Sequence, residues 1–386
     1  MECKKYYLYK KQISYDNGST WLDIIPLETS PSGNPIGTYD SLEECESSTI
    51  DYYTQYLTFV AIEPIQVKFS GATVNDVVNT VEYSLDSGTT WNNLIQDTYT
   101  DTIPSGNKIM FKGNCKTTGG IGSHMGKFKT SGGTFNVEGN VMSLLFDDNF
   151  IGQTSLSGYD GAFVNLFEDC KVVKANNLML PATTLATDCY FQMFYNCRLL
   201  KKAPMLLATT LANTCYDAMF WGCNSLEEAP ELPATTLARL CYRHMFNECY
   251  SLIEAPRLPV TELTYGCYSN MFKDCTSLTK APELPATTLE SSCYYGMFQG
   301  CTSLTKTPKL SATTLEFGCY QNMFQGCTSL NEVTCLATDK SASYCTANWL
   351  QGVSSSGTFY KNPSMNSWSS GVSGVPNNWT LVDYEG

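Results

Sequence analysis

Cysteine, histidine and arginine are the side chains whose spacing here could support nucleophilic, metal or anion chemistry. The 386-residue chain has 18 cysteines, and 13 of them form a ladder: Cys170, then Cys189/Cys197, Cys215/Cys223, Cys241/Cys249, Cys267/Cys275, Cys293/Cys301 and Cys319/Cys327. A nucleophilic cysteine needs a positioned base, yet there are only 2 histidines, His124 and His244. His124 lies in a Gly/Ser-rich stretch. His244 sits in Cys241-Tyr242-Arg243-His244-Met245, at a position that changes from copy to copy. A structural zinc site would show cysteines two to four residues apart, whereas the ladder spacings alternate between 8 and 18. Arg198, Arg239, Arg243 and Arg257 are the only arginines. No Walker loop, G-x-S-x-G or H-E-x-x-H motif is present. The expectation is a protein without catalytic residues, metal or cofactor, and not an enzyme.

Composition narrows the partners. The net charge is -13 and charged residues make up only 16%, which works against nucleic acid and anionic lipid because both need concentrated basic surface. No apolar run approaches the 18 residues of a membrane span. The opening MECKKYYLYKKQISYDNGSTW is positively charged but has neither an apolar core nor a small-residue cleavage site. Its expected origin is a trimmed product or a chain that bypasses general secretion.

The spacing of the cysteines marks a repeat. Cys197, Cys223, Cys249, Cys275, Cys301 and Cys327 are each 26 residues apart, within C-Y-x-x-M-F-x-x-C-x-S-L-x-x-A-P-x-L-P-A-T-T-L. A residue that recurs once per copy is a packing position, and free cysteine packs as a small apolar group. Cys215, Met219 and Cys223 fall at i, i+4 and i+8, which predicts a helical turn joined by Tyr216 and Phe220. Pro230 and Pro233 would stop it. Leu226, Ala229 and Leu232 have the spacing of a short strand. One copy alone cannot cover its own apolar edges, so copies must stack. Loose copies around Ala162, Phe163, Leu166, Phe167 and Cys170, and around Cys345, Trp349 and Leu350, would close the two ends.

The M-F-x-x-C-x-S-L phrase resembles the 26-residue repeat of bacterial surface proteins related to the BspA-like leucine-rich repeats. The L-P-A-T-T-L phrase is similar to repeats in proteins of gut Bacteroidetes and their phages. The resemblance covers about half of the chain and implies a leucine-rich-repeat solenoid. The expected fold class is therefore α+β: N-terminal β-rich, sandwich-like modules followed by about eight 26-residue coils. Expected boundaries are 1–53 for a small β-rich module, 54–149 for a β-sandwich-like domain, 150–353 for the repeats and 354–386 for a C-terminal β cap.

In the N-terminal part, residues 56–62, 65–69 and 108–112 read as strands. Ser14-Tyr15-Asp16-Asn17-Gly18-Ser19-Thr20-Trp21 and Ser84-Leu85-Asp86-Ser87-Gly88-Thr89-Thr90-Trp91 share one pattern, with Asp-x-Gly as a hairpin turn. This pattern resembles the Asp-box of sialidases, a structural hairpin. Sialidase activity would also need an arginine cluster, and the arginines lie in the repeats. Asp40 or Ser41 is expected to cap a short helix through Cys45. Residues 354–386 are expected to form a closing strand or hairpin.

The core positions hardly vary between copies, so the varying positions mark the surface. Beside the expected strand these are Lys201/Lys202, Glu227/Glu228, Ile253/Glu254, Thr279/Lys280, Thr305/Lys306 and Asn331/Glu332. On the turn side they include Tyr195, Trp221, Arg243, His244, Lys273 and Tyr295. Aromatic residues and arginine are favoured at binding hot spots, so these six are the candidate ligand-binding residues; the alternative is drift on a solvated face. The resemblance implies surface binding or adhesion. The leading expectation is a virion-displayed binding or decoration protein, such as a phage head or tail fibre. Its N-terminal modules would dock on other virion proteins and its repeats would meet a host surface protein or glycan, with homo-oligomers possible. The alternative is a bacterial cell-surface adhesin. A glycan-directed enzyme would need an acidic cleft with paired carboxylates.

Overall fold

The computed structural model describes residues 52–386 apart from 76 and 118–123, together with the backbone of four strands upstream. Those four are β1 (Tyr6–Tyr9), β2 (Gln12–Ser14), β3 (Trp21–Asp23) and β4 (Gly37–Tyr39), in the order β3-β2-β1-β4. Ser14 pairs with Trp21 across the antiparallel β2–β3 ladder; the first expected Asp-x-Gly turn, between them, lies outside the described residues. The helix expected from Asp40 or Ser41 to Cys45 lies outside the described residues.

Eight strands follow before residue 135: β5 (Leu57–Ala61), β6 (Ile65–Gly71), β7 (Thr73–Val74), β8 (Val77–Val78), β9 (Val81–Ser84), β10 (Asn92–Asn93), β11 (Lys108–Gly113) and β12 (Gly126–Gly132). β13 (Phe135–Asn140), the helix α1 (Ser143–Phe146) and β14 (Val172–Met179) come next. One sheet has the order β10-β9-β11-β5-β13-β14, and β12 pairs with β6 in a ribbon of its own. The alternation in Ile65-Gln66-Val67-Lys68-Phe69 buries Ile65, Val67 and Phe69, the period expected of a half-buried strand. Phe59 on β5 packs against Phe111, Phe128 and Phe135, with ring centroids 4.8, 5.0 and 4.8 Å away. In the second hairpin, between β9 and β10, Asp86 accepts bonds from the Thr90 amide (2.8 Å) and hydroxyl (2.6 Å), and Gly88 takes φ +85°. The Thr90 bonds hold the Asp86 carboxyl down at about 2.

The expected α+β class with a leucine-rich-repeat solenoid is corrected. Four residues, Ser143–Phe146, are the only α-helix among the described residues. Regular structure is otherwise strand, apart from one 3₁₀ turn at Asp147–Asn149, and the strands form several small sheets. No coil closes through a strand and a helix. The segment from Cys215 to Cys223, expected as a helical turn, is a run of β-turns. The expected strand at Leu226–Leu232 is reduced to a single bridging residue, Glu228, paired in parallel with Lys202 and Glu254.

Backbone hydrogen bonds explain how a spacing of four arises without a helix. The odd members of each nine-residue run donate three residues back: Phe191 to Asp188, Met193 to Tyr190, Tyr195 to Gln192 and Cys197 to Phe194. The even members donate to the next copy: Tyr190 to Cys215, Gln192 to Asp217, Phe194 to Met219 and Asn196 to Trp221. Every amide from 190 to 197 thus has a partner, as buried backbone requires. Each four-residue turn needs one left-handed residue, at Thr214 (φ 52°), Ala218 (φ 55°) and Gly222 (φ 76°) in one copy and Leu240, His244 and Glu248 in the next.

Core side chains stack copy on copy. Phe194, Phe220, Phe246, Phe272, Phe298 and Phe324 form one column, with neighbouring centroids 5.6–5.8 Å apart. Tyr190, Tyr216, Tyr242, Tyr268, Tyr294 and Tyr320 form another, which Trp349 extends at 6.2 Å. Beyond the expected boundary at residue 150 the core is unbroken. β14 pairs in parallel with β13, and Phe167 bridges Phe59 (5.8 Å) to Phe194 (5.1 Å). At the other end, β15 (Glu332–Cys335), β16 (Gly357–Lys361) and β17 (Trp379–Asp383) form a parallel sheet. The final segment therefore continues the stacking direction and makes no hairpin. Trp368 stacks on Trp349 at 5.6 Å, and Trp379 Nε1 donates to the Ser354 carbonyl.

Candidate binding face

The turn run buries Tyr, Met, Phe and Cys in every copy and, in some copies, leaves its third, fourth or seventh position part-exposed, while Asp217, Asn247, Ser269 and Asn270 at those positions are buried. Tyr195, Trp221 and Lys273 are seventh positions, Arg243 and Tyr295 third, and His244 is a fourth position with φ 56°. All six candidate residues are half-buried, with their backbones fixed by the inter-copy bonds.

The structure brings three of the six, Tyr195, Trp221 and His244, into ring contact, with Arg243 the chain neighbour of His244. The Tyr195 ring meets Trp221 edge-on at 5.6 Å, and Trp221 lies nearly parallel to His244 at 4.8 Å. Trp221 Nε1 donates to Glu248 Oε1 at 3.1 Å. The Asn247 side-chain amide lies 3.1 Å from His244 Nδ1. Burial, with the positive charges of Arg243 and Lys273, lowers the His244 pKa to about 4, so the imidazole is neutral near pH 7. Arg243 Nε donates to Asp217 Oδ2 at 2.8 Å, and its terminal nitrogen lies 2.6 Å from the same oxygen. Burial raises the Asp217 carboxyl to about 6 despite that guanidinium. Asp217 Oδ1 and Asn247 Oδ1 are buried without a hydrogen-bond partner among the described residues.

The remaining two candidates stand apart. Lys273 lies 3.9 Å from Asp274 and reaches the cluster only through its charge. Tyr295 OH accepts from Asn322 Nδ2 at 3.2 Å, away from the tryptophan. Sequence reasoning missed Asp217 and Glu248. For Asp217 a signal existed: it occupies the same turn position as Arg243, one 26-residue period earlier, with opposite charge.

The thiols take a structural role. All ladder cysteines are buried and unbridged, and burial raises their pKa values, Cys189 and Cys319 to about 12. At neutral pH they are thiols, which are poor nucleophiles and metal ligands. Cys223, Cys249 and Cys275 donate to the carbonyls of Phe194, Phe220 and Phe246 at 3.1–3.2 Å, tying one copy to another. Among the described residues no group of three His, Cys, Asp or Glu is placed to hold a metal. His124 is exposed. Two depressions, of about 240 Å³ beside Leu350 and Pro376 and about 340 Å³ beside Ser84 and Lys108, are lined by none of the six candidates.

No family model, curated protein or solved structure matches this chain.

Proposed function

We propose that this chain is a non-enzymatic binding or decoration protein displayed on a virion, with the face around Tyr195, Trp221, Arg243 and His244 as its ligand contact. The observation that supports this most strongly is the contrast between an invariant stacked core and a contiguous aromatic and charged cluster at its varying positions. Rigid aromatic rings on a hydrogen-bonded backbone lose little entropy on binding, which favours them as anchors. The ligand is a host surface protein or glycan. The N-terminal strands, which precede this cluster in the sequence, dock on other virion proteins. Placement on a virion rests on the likeness of the repeat phrases to those of gut Bacteroidetes phages.

Two measurements test the reading. Mass spectrometry of purified particles is expected to find the chain as a stoichiometric component. Its absence from particles together with its presence on bacterial cells would make it an adhesin. In binding to host cells, Trp221→Ala is expected to weaken capture by about tenfold or more, the scale of an aromatic hot spot. Unchanged capture by a folded Trp221→Ala protein would remove this face from the account.

A further inference from the structure

The face that carries the inter-copy bridges has a charge order that the ligand site does not use. Parallel bridges join Lys174, Lys202, Glu228, Glu254 and Lys280 in succession, and join Lys306 to Glu332. From residue 202 to 332, at 26-residue steps, the charges run plus, minus, minus, plus, plus, minus. All are exposed except the half-buried Glu332. This order is antisymmetric about the midpoint between Glu254 and Lys280. A second exposed column, three residues on, reads Glu231, Arg257, Glu283 and Lys309 and is antisymmetric about the same midpoint. Within the chain, Lys202 already reaches Glu228 at 2.5 Å, but both ends are exposed, and exposed pairs exchange partners readily.

We propose that two copies of this chain associate antiparallel through this face, about a twofold axis that passes between Glu254 and Lys280. The rotation sets Lys202 against Glu332, Glu228 against Lys306 and Glu254 against Lys280, each pair formed twice. It also sets Glu231 against Lys309 and Arg257 against Glu283. No two like charges meet among these ten positions. A twofold interface must be self-complementary in this way, each residue meeting its mate on the other copy. Ile253, 54% exposed, lies beside the axis and opposite Thr279, where it supplies an apolar centre. Six rungs at ~4.8 Å make a strip about 24 Å long, small for a stable dimer. Electrostatic steering therefore dominates, and the dimer is concentration-dependent and salt-sensitive.

The test is sedimentation equilibrium at protein concentrations up to about 1 mM, the weak end of specific affinity. Salt is set at ~0.01 M and ~1 M, where the Debye length is about 30 Å and about 3 Å. The parent chain is expected to reach twice the mass of one chain at low salt and to fall back to one at high salt. Glu254→Lys alone, or Lys280→Glu alone, makes like charges meet twice and is expected to weaken the dimer by about tenfold or more. The double variant E254K/K280E restores opposite charges, both within and between copies, and is expected to recover the parent's affinity. A single-chain mass at low salt throughout would overturn the proposal. A dimer indifferent to Glu254→Lys, or a double variant no tighter than the singles, would overturn this face and register. The outcome does not depend on the ligand of the aromatic cluster.

Discussion

Phe246→Ala is expected to lower the stability of the chain by about 3–5 kcal/mol, the usual cost of emptying a fully buried phenylalanine site. The ring is completely buried and stacks on Phe220 at 5.8 Å and Phe272 at 5.7 Å. Its neighbours cannot collapse into the void, because the backbone around it is bonded to the copies on both sides: Phe246 donates to Met271, and Phe220 donates to Met245. In a stack, stability is a sum of terms from each copy and its neighbours. A cavity in the middle thus weakens two interfaces, and the urea midpoint is expected to fall accordingly. A loss below about 1 kcal/mol would mean that the column is not packed as described. The side chain of Leu199, 42% exposed, is the control; Leu199→Ala is expected to stay within about 0.5 kcal/mol.

The second large effect lies in the pH dependence of the candidate face. Asp217 ionises at about 6 in the folded chain against an ordinary 3.8. As pH rises from about 4 to about 6, the unfolded chain releases this proton before the folded one does. Stability therefore falls over that window, by about 3 kcal/mol for a shift of this size. His244 acts in the opposite sense. Its folded value of about 4 lies below the ordinary 6.5, so the unfolded chain takes up the proton first and stability is lost as pH falls through the same range. The two slopes oppose each other in the parent. Asp217→Asn is expected to expose the histidine slope, so that urea stability relative to the parent drops on acidification from about pH 6.5 to about 4. His244→Asn is expected to expose the aspartate slope, with stability rising on acidification. Asparagine suits the left-handed backbone there, as Asn270 and Asn322 show at equivalent positions. A profile for Asp217→Asn parallel to the parent's would contradict the burial of that carboxylate.

The sequence made the period and the core legible, residue by residue. Tyr216, Met219, Phe220 and Cys223 are buried as their recurrence demanded, and the loose end copies stack through Phe163, Phe167 and Trp349. The expected strands at 56–62, 65–69 and 108–112 appear as β5, β6 and β11. The helix was misread because a run of four-residue turns and an α-helix both place i, i+4 and i+8 on one side. The distinguishing signal lay in the other positions. Gly222, Gly300, Gly326 and Gly352, with Asn196 and Asp274, occupy one recurring place, and all are left-handed. Glycine, asparagine and aspartate are the residues that tolerate this conformation, and glycine inside a helix is unfavourable. Across residue 150, β14 extends the N-terminal sheet through a parallel pairing, which no local pattern announces. Within the candidate face, variation at the turn positions singled out Tyr195, Trp221 and His244, whereas their ring contacts came only with the stacking of copies. The Arg243–Asp217 pair needed a comparison of charges one period apart.

The central claim is that the Cys-Tyr to Phe-x-x-Cys segments are turns stacked copy on copy, with left-handed residues at fixed places. Gly222 takes φ +76°, and a Cβ there would lie 2.5 Å from Asn196 Oδ1 of the preceding copy. The most direct measurement is the change in urea stability on Gly222→Ala. Stacked turns predict a loss of about 1–2 kcal/mol, the cost of a left-handed alanine. A gain of about 1 kcal/mol, as alanine gives over glycine in a helix, would contradict the claim.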